Sequence, residues 1–162
     1  MKTLIIYATK YGSAKKAAEK LREKLQGDIT LINIMEETPP TLEQFDNVIL
    51  GGSIYMGKVQ QKLINFIKAN LSELIKKRVG LYICAALNPQ EKVMKELYES
   101  FPELLYNNAL VKEVFGYEFY FEKMGFIERK MTSSIMGIKN SISKLDEGTI
   151  ENFAKVMNYE QK

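Results

Sequence analysis

The stretch Thr3-Leu4-Ile5-Ile6-Tyr7-Ala8-Thr9-Lys10-Tyr11-Gly12-Ser13-Ala14 decides how this chain is read. Its first half is short, apolar and β-branched, the pattern of a buried strand. Beyond it Ala14, Ala17, Ala18, Leu21 and Leu25 repeat at helical spacing. The residues between are therefore a strand-to-helix turn. Such a turn aims unpaired backbone N–H groups outward at the positive end of a helix dipole. Thr9 and Ser13 add hydroxyls, Lys10 adds a charge, and Gly12 bends without a Cβ clash. The ligand this suits is a phosphate; an ordinary βα connection has the same outline. Neither G-x-x-x-x-G-K-[ST] nor G-x-G-x-x-G occurs, which excludes the nucleotide loops those patterns mark.

Outward from that turn the alternation continues. Residues 29–34, 47–52, 79–86 and 109–115 read as further strands, and the unbroken apolar run at 47–52 suits a central parallel strand. Residues 13–26 form the first helix, with Gly27 at its end. Val59, Leu63, Phe66, Ile67, Leu71 and Leu74 mark a second helix. Asn88 as N-cap and Pro89 as first helical residue open a third, through Val93, Leu97 and Phe101. Asp146 caps the last, which buries Ile150, Phe153, Ala154 and Met157. Strands alternating with helices predict an α/β fold, a doubly wound five-stranded parallel sheet with helices on both faces. Ligands of such sheets bind at the carboxyl ends of the strands. Those ends are the loops after residues 8, 52, 86 and 116. The 162 residues make one domain, with extra material at about 117–140.

Composition removes several kinds of chemistry. The chain has no histidine, which excludes His-based acid–base catalysis, Ser-His-Asp triads and His-ligated metals. Cys84 is the only cysteine, so no internal disulfide forms; its expected role is core packing. No apolar run has the length of a membrane span, and the chain enters its first strand at once. Together these predict a cytoplasmic protein without a signal peptide. Net charge is only +3, but residues 58–78 carry six basic side chains against one acidic. That stretch reads as a solvated helix face, or as a docking surface for an acidic partner or an anionic membrane. No aromatic residues interleave the basic ones, which argues against nucleic acid.

The loop after the third strand, Gly51-Gly52-Ser53-Ile54-Tyr55-Met56-Gly57-Lys58, holds glycines, an aromatic and a methionine, but no aspartate for phosphorylation. With the first turn it resembles the flavodoxins. Their phosphate loop is commonly T/S-x-T-G-x-T, and Thr9, Gly12 and the loop length match it. Tyr11 and Ala14 replace hydroxyl residues of that pattern, and Lys10 offsets part of the loss by charge. Met56-Gly57 resembles the Met-Gly turn of clostridial flavodoxins. A flavin ring is flat and apolar, so Tyr55 or Met56 can pack on its face. A Gly at 57 permits the positive φ that a rotated peptide in this turn needs. Lys58 stands where clostridial flavodoxins have an acidic residue, which predicts a less negative flavin potential. Ala85-Ala86-Leu87-Asn88 would be the second flavin loop, here without a stacking aromatic.

The segment from Phe115 to Met131 is aromatic-rich and runs into a helix pattern of Ile127, Met131, Ile135 and Ile138. An insert at this place resembles the menaquinone-dependent protoporphyrinogen oxidases, a flavodoxin-like subfamily. Gly116, Tyr120, and Arg129 with Met131 match its pattern loosely, as does Gly52-Ser53-Ile54. The resemblance implies the flavodoxin strand order 2-1-3-4-5 and FMN as cofactor. It places Thr9, Lys10, Tyr11, Gly12, Ser13 and Ala14 at the phosphate. Ser53, Ile54, Tyr55, Met56, Gly57, Ala85, Ala86, Leu87 and Asn88 would border the ring, with Gly116 and Tyr120 beside it. It implies electron transfer with a redox partner protein or a quinone, or else FMN-dependent oxidation of protoporphyrinogen. A flavin-free interaction domain on the same fold is the remaining alternative. Peripheral membrane contact through 58–78 or 117–140 would suit a quinone.

Overall fold

Every second residue of the first strand faces the same side. Leu4, Ile6 and Ala8 belong to one buried cluster, and Ile5 and Tyr7 to another. A strand buried on both faces must lie inside a sheet covered twice. A computed structural model describes residues 1–86, 89–119, 124–136 and 142–160 of the chain. It places β1 (Lys2–Ala8) between β2 (Asp28–Asn33) and β3 (Asn47–Ser53), followed by β4 (Arg78–Cys84) and β5 (Val111–Val114). All four pairings are parallel, and the order is β2-β1-β3-β4-β5. The expected doubly wound sheet is thus borne out.

On one face α1 (Ser13–Lys24) and the terminal α6 (Glu147–Asn158) bury Ala14, Ala17, Ala18, Leu21, Ile150, Phe153, Ala154 and Met157. On the other, α2 (Gln61–Leu74) and α3 (Gln90–Glu99) bury Leu63, Ile67, Val93 and Leu97, and the short α4 (Glu103–Asn108) adds Leu105. Each such Leu or Ile contributes roughly 1.5–3 kcal/mol by leaving water. Asp146 caps α6 as expected, its carboxylate accepting the Thr149 N–H at 3.0 Å. Cys84 is buried, and burial pushes its thiol well above the usual value, consistent with packing rather than reactivity.

Several boundaries differ from the sequence expectation. Pro89 is the N-cap of α3, not its first helical residue: its extended backbone turns in through a carbonyl that accepts Val93 N–H at 3.2 Å. Asn88 lies outside the described residues. β5 runs from Val111 to Val114, shorter than the expected 109–115, and Ala109 serves instead as the C-cap of α4. Helix α1 ends at Lys24 rather than at 26.

The extra segment is a small unit of its own. β6 (Gly116–Phe119) and β7 (Ile142–Leu145) pair antiparallel and flank α5 (Phe126–Met136) in the chain. The Ala85 N–H donates to the Gly116 carbonyl at 2.8 Å and the Asp146 N–H to the Phe115 carbonyl at 2.8 Å, which joins the unit to the edge of the sheet. No helix among the described residues is long and apolar enough to cross a membrane.

At the centre of the sheet, Tyr82 is fully buried and stacks on Phe115 at 4.6 Å. Its ring passes over Gly51 so closely that a Cβ there would lie 1.9 Å from Cζ. Its hydroxyl donates to the Ala14 carbonyl at 3.0 Å. Gly51→Ala should therefore force Tyr82 aside and cost about 1–3 kcal/mol of overpacking. Urea unfolding of the variant should show a lower midpoint at unchanged slope; an unchanged midpoint would mean the ring moves freely.

Candidate functional site

The carboxyl ends of β1 and β3 are neighbours, since Ala8 pairs with Gly52. The turns that follow them therefore meet. Gly12 is the N-cap of α1 with φ +103°, in the left-handed region where a side chain would be strained. Its N–H donates to Thr9 Oγ1 at 2.9 Å, and the Ala14 N–H donates to Ser53 Oγ at 3.1 Å. Thr9 Oγ1 and Ser53 Oγ lie 3.3 Å apart. One hydroxyl from the loop after β1 and one from the end of β3 thus meet the start of one helix. The N–H groups of Ser13 and Lys15 have no acceptor among the described residues. A hydroxyl that accepts an N–H still carries its own proton, and only one of the two is needed between Thr9 and Ser53. Free N–H groups, a spare hydroxyl proton and the helix dipole together fit a phosphate.

The turn after β3 closes on itself. Tyr55 N–H donates to the Lys58 carbonyl at 2.8 Å, and Lys58 N–H to the Tyr55 carbonyl at 3.1 Å. Met56 has φ +50° and Gly57 φ +78°. Positive φ at both central residues makes this a type I′ turn. Gly57 takes the conformation expected of it, and Met56, 76% exposed, is the non-glycine residue held there with it. Ile54 N–H bonds the Cys84 carbonyl at 2.9 Å, which aligns this turn with Ala85 and Ala86 at the end of β4. Leu87, Asn88 and Tyr120 lie outside the described residues.

Comparison with known proteins adds a family to this geometry. Residues 4–146 match the flavodoxin domain. The chain belongs to the flavodoxin domain family. Membership bears out the expectation of FMN as cofactor. The chain is 32% identical over 79 residues to protoporphyrinogen IX dehydrogenase [quinone] of Escherichia coli K12, a match covering 46% of this chain. That match spans 42% of the relative, less than half its length. Among solved structures, a flavodoxin, WrbA-like protein from Agrobacterium tumefaciens is 18% identical at a TM-score of 0.57, over 97% of this chain and 95% of that one. Oxidised flavodoxin 1 from Bacillus cereus is 18% identical at 0.52, over 76% and 89%. At such identities the structures attest the fold alone.

Within this flavodoxin fold not every expected residue is placed alike. Thr9, Lys10, Tyr11, Gly12, Ala14, Ser53 and Tyr55 gather at the first turn. Ser13 points elsewhere: its Oγ donates to the Glu118 carbonyl at 2.6 Å and accepts the Glu118 N–H at 3.0 Å, pinning β6 to the turn. Gly116, at φ +84°, serves the pairing with β7, since a Cβ there would meet the Lys144 carbonyl at 2.1 Å. Among the six basic residues of 58–78, Lys77 and Arg78 are spent on main-chain carbonyls, Lys77 on Phe45 at 2.9 Å and Arg78 on Tyr159 at 2.6 Å.

One functional residue carries no signal in the sequence. Glu128, in the first turn of α5, accepts Lys10 Nζ at 2.9 Å and the Tyr55 hydroxyl at 3.2 Å through Oε1, and the Gly125 N–H at 3.2 Å through Oε2. Lys10 Nζ also sits 3.6 Å from the centre of the Tyr55 ring. The Tyr11 ring meets Tyr55 edge-on at 6.1 Å. Its hydroxyl is buried beside Glu128. Burial, then that carboxylate, push Tyr11 up to about 12. Tyr55 and Glu128 raise Lys10 well above its usual value. Tyr11, Lys10 and the Gly125 N–H hold the Glu128 carboxyl down at about 2. A depressed carboxyl favours the folded state above its ordinary value of 4.5 and loses that contribution as pH falls through about 2. NMR of the glutamate side-chain carboxyl carbons should show Glu128 titrating near 2, and higher than that in Lys10→Met, which keeps the Tyr11 and Gly125 contributions. An ordinary midpoint in the wild type would mean the cluster does not form.

Proposed function

We propose that residues 9–14 hold the FMN phosphate, and that Tyr55, Met56, Gly57, Ala85 and Ala86 border the ring. The convergence of Thr9, Ser53 and the α1 N-terminus beside a type I′ Met-Gly turn carries this reading. The flavin, when bound, supplies the electron-transfer chemistry. The chain supplies the rest. First-turn N–H groups and the Thr9 and Ser53 hydroxyls orient the phosphate, and Lys10 adds a positive charge. The left-handed backbone at 56–57 holds a peptide group beside the ring edge at low cost for Gly57. Ser13 acts indirectly, by fixing β6 against the turn. The partner is a redox protein or a quinone.

A second reading is quinone-linked oxidation of protoporphyrinogen. The identity with the Escherichia coli enzyme supports it, as does the unit from β6 to β7 beside the site. Turnover of the FMN-loaded protein with protoporphyrinogen and a menaquinone separates the two readings.

Titration of the flavin-free protein should give tighter binding of FMN than of riboflavin, which lacks the phosphate. Thr9→Ala should weaken FMN by about 1–3 kcal/mol, the magnitude of a lost charge-assisted hydrogen bond, and leave riboflavin nearly unchanged. Equal affinity of the wild type for the two ligands would rule out a phosphate site at this turn.

A further inference from the structure

Lys10 is the one side-chain cation of the first turn, and it is already paired. Its partner comes from 118 positions away in the chain, on the helix between β6 and β7. The same carboxylate oxygen takes the Tyr55 hydroxyl. The ammonium lies over the Tyr55 ring, against the aromatic face assigned above to the flavin. A single carboxylate thus holds both the cation meant for the phosphate and the aromatic ring meant for the flavin.

We propose that Glu128 is a positioning residue that acts through Lys10: its carboxylate competes with the FMN phosphate for that ammonium, so flavin occupancy is coupled to release of α5 from the first turn. The proposal rests on the reading of residues 9–14 as the phosphate site. Its physical basis is that one ammonium cannot serve a carboxylate and a phosphate equally. A phosphate carries the larger charge and takes Lys10 when present. Glu128 then loses its ion pair and keeps the Tyr55 hydroxyl and the Gly125 N–H, the latter being the return half of a capping box that begins α5. The contact between α5 and the phosphate turn is thereby weakened by the cofactor itself. Phe126 and Ile127, 82% and 73% exposed, are the neighbours of Glu128 on that first turn and move with it.

A merely structural Glu128 predicts something different. If the residue only caps α5, glutamine replaces it well, because Gln also serves at that place in a capping box. Glu128→Gln keeps the cap and removes the competing charge. Affinities for FMN and riboflavin, measured on wild type and variant, isolate the phosphate's share. The ratio of FMN to riboflavin affinity should rise at least threefold in Glu128→Gln. In the wild type, amide hydrogen exchange over residues 126–136 should quicken when FMN is added and stay unchanged when riboflavin is added. An unchanged or lower ratio in the variant, with FMN still preferred by the wild type, overturns the competition alone. Exchange in α5 that ignores FMN overturns the coupling. Failure of both proteins to prefer FMN over riboflavin overturns the phosphate site, and this inference with it.

Discussion

Tyr82 is the residue on which the geometry of the site depends. It rises from the middle of β4, crosses the bare backbone of Gly51 in β3, and ends on the Ala14 carbonyl in α1. Its ring is held by Phe115, stacked at 4.6 Å, and by Phe153 edge-on at 6.4 Å. β3, β4 and α1 are thus fixed together by one side chain. Burial accounts for most of its contribution, and a buried hydroxyl left unpaired would be costly. The start of α1 cannot shift along the sheet without breaking that hydrogen bond. Its free N–H groups therefore stay beside the end of β3, next to the Thr9 and Ser53 hydroxyls.

Two of the contacts that fasten the segment from β6 to β7 to this frame differ in kind. Ser13 with Glu118 is a buried, two-way main-chain link. Lys10 with Glu128 is a surface ion pair, with side chains 39% and 30% exposed. Surface pairs are worth little and yield readily to a competing ion. The first fastening sets where the segment stands, and the second leaves α5 responsive to charge at the turn.

The sheet was legible because its signals are local. Continuous apolar runs at 47–52 and 79–86 announce strands buried on both faces, and the run at Leu4, Ile5 and Ile6 does the same. Gly12 and Gly57 were legible because positive φ leaves glycine as the residue of lowest strain. Asp146 was legible as a cap because its partner is three residues on. What escaped is non-local. Nothing adjacent to Glu128 points to Lys10, and nothing adjacent to Ser13 points to Glu118. Ser13 reads as a phosphate ligand from its turn alone, yet its hydroxyl is claimed by a strand 105 positions away. The start of α3 was misplaced by one residue because Pro at the first helical position and Pro at the N-cap look alike in sequence. Helix α4 escaped because Pro102 ends one helix and opens another within a few residues.

On the proposed assignment, residues 9–14 at the start of α1 receive the flavin's phosphate. Amide NMR of the isotope-labelled chain reads the N–H groups there one at a time. On addition of FMN the Gly12, Ser13, Ala14 and Lys15 amides should shift far more than on addition of riboflavin. Tyr55, Met56 and Gly57 should shift with both. Shifts at Gly12–Lys15 of the same size for the two ligands, or FMN-dependent shifts confined to other parts of the chain, would contradict the account.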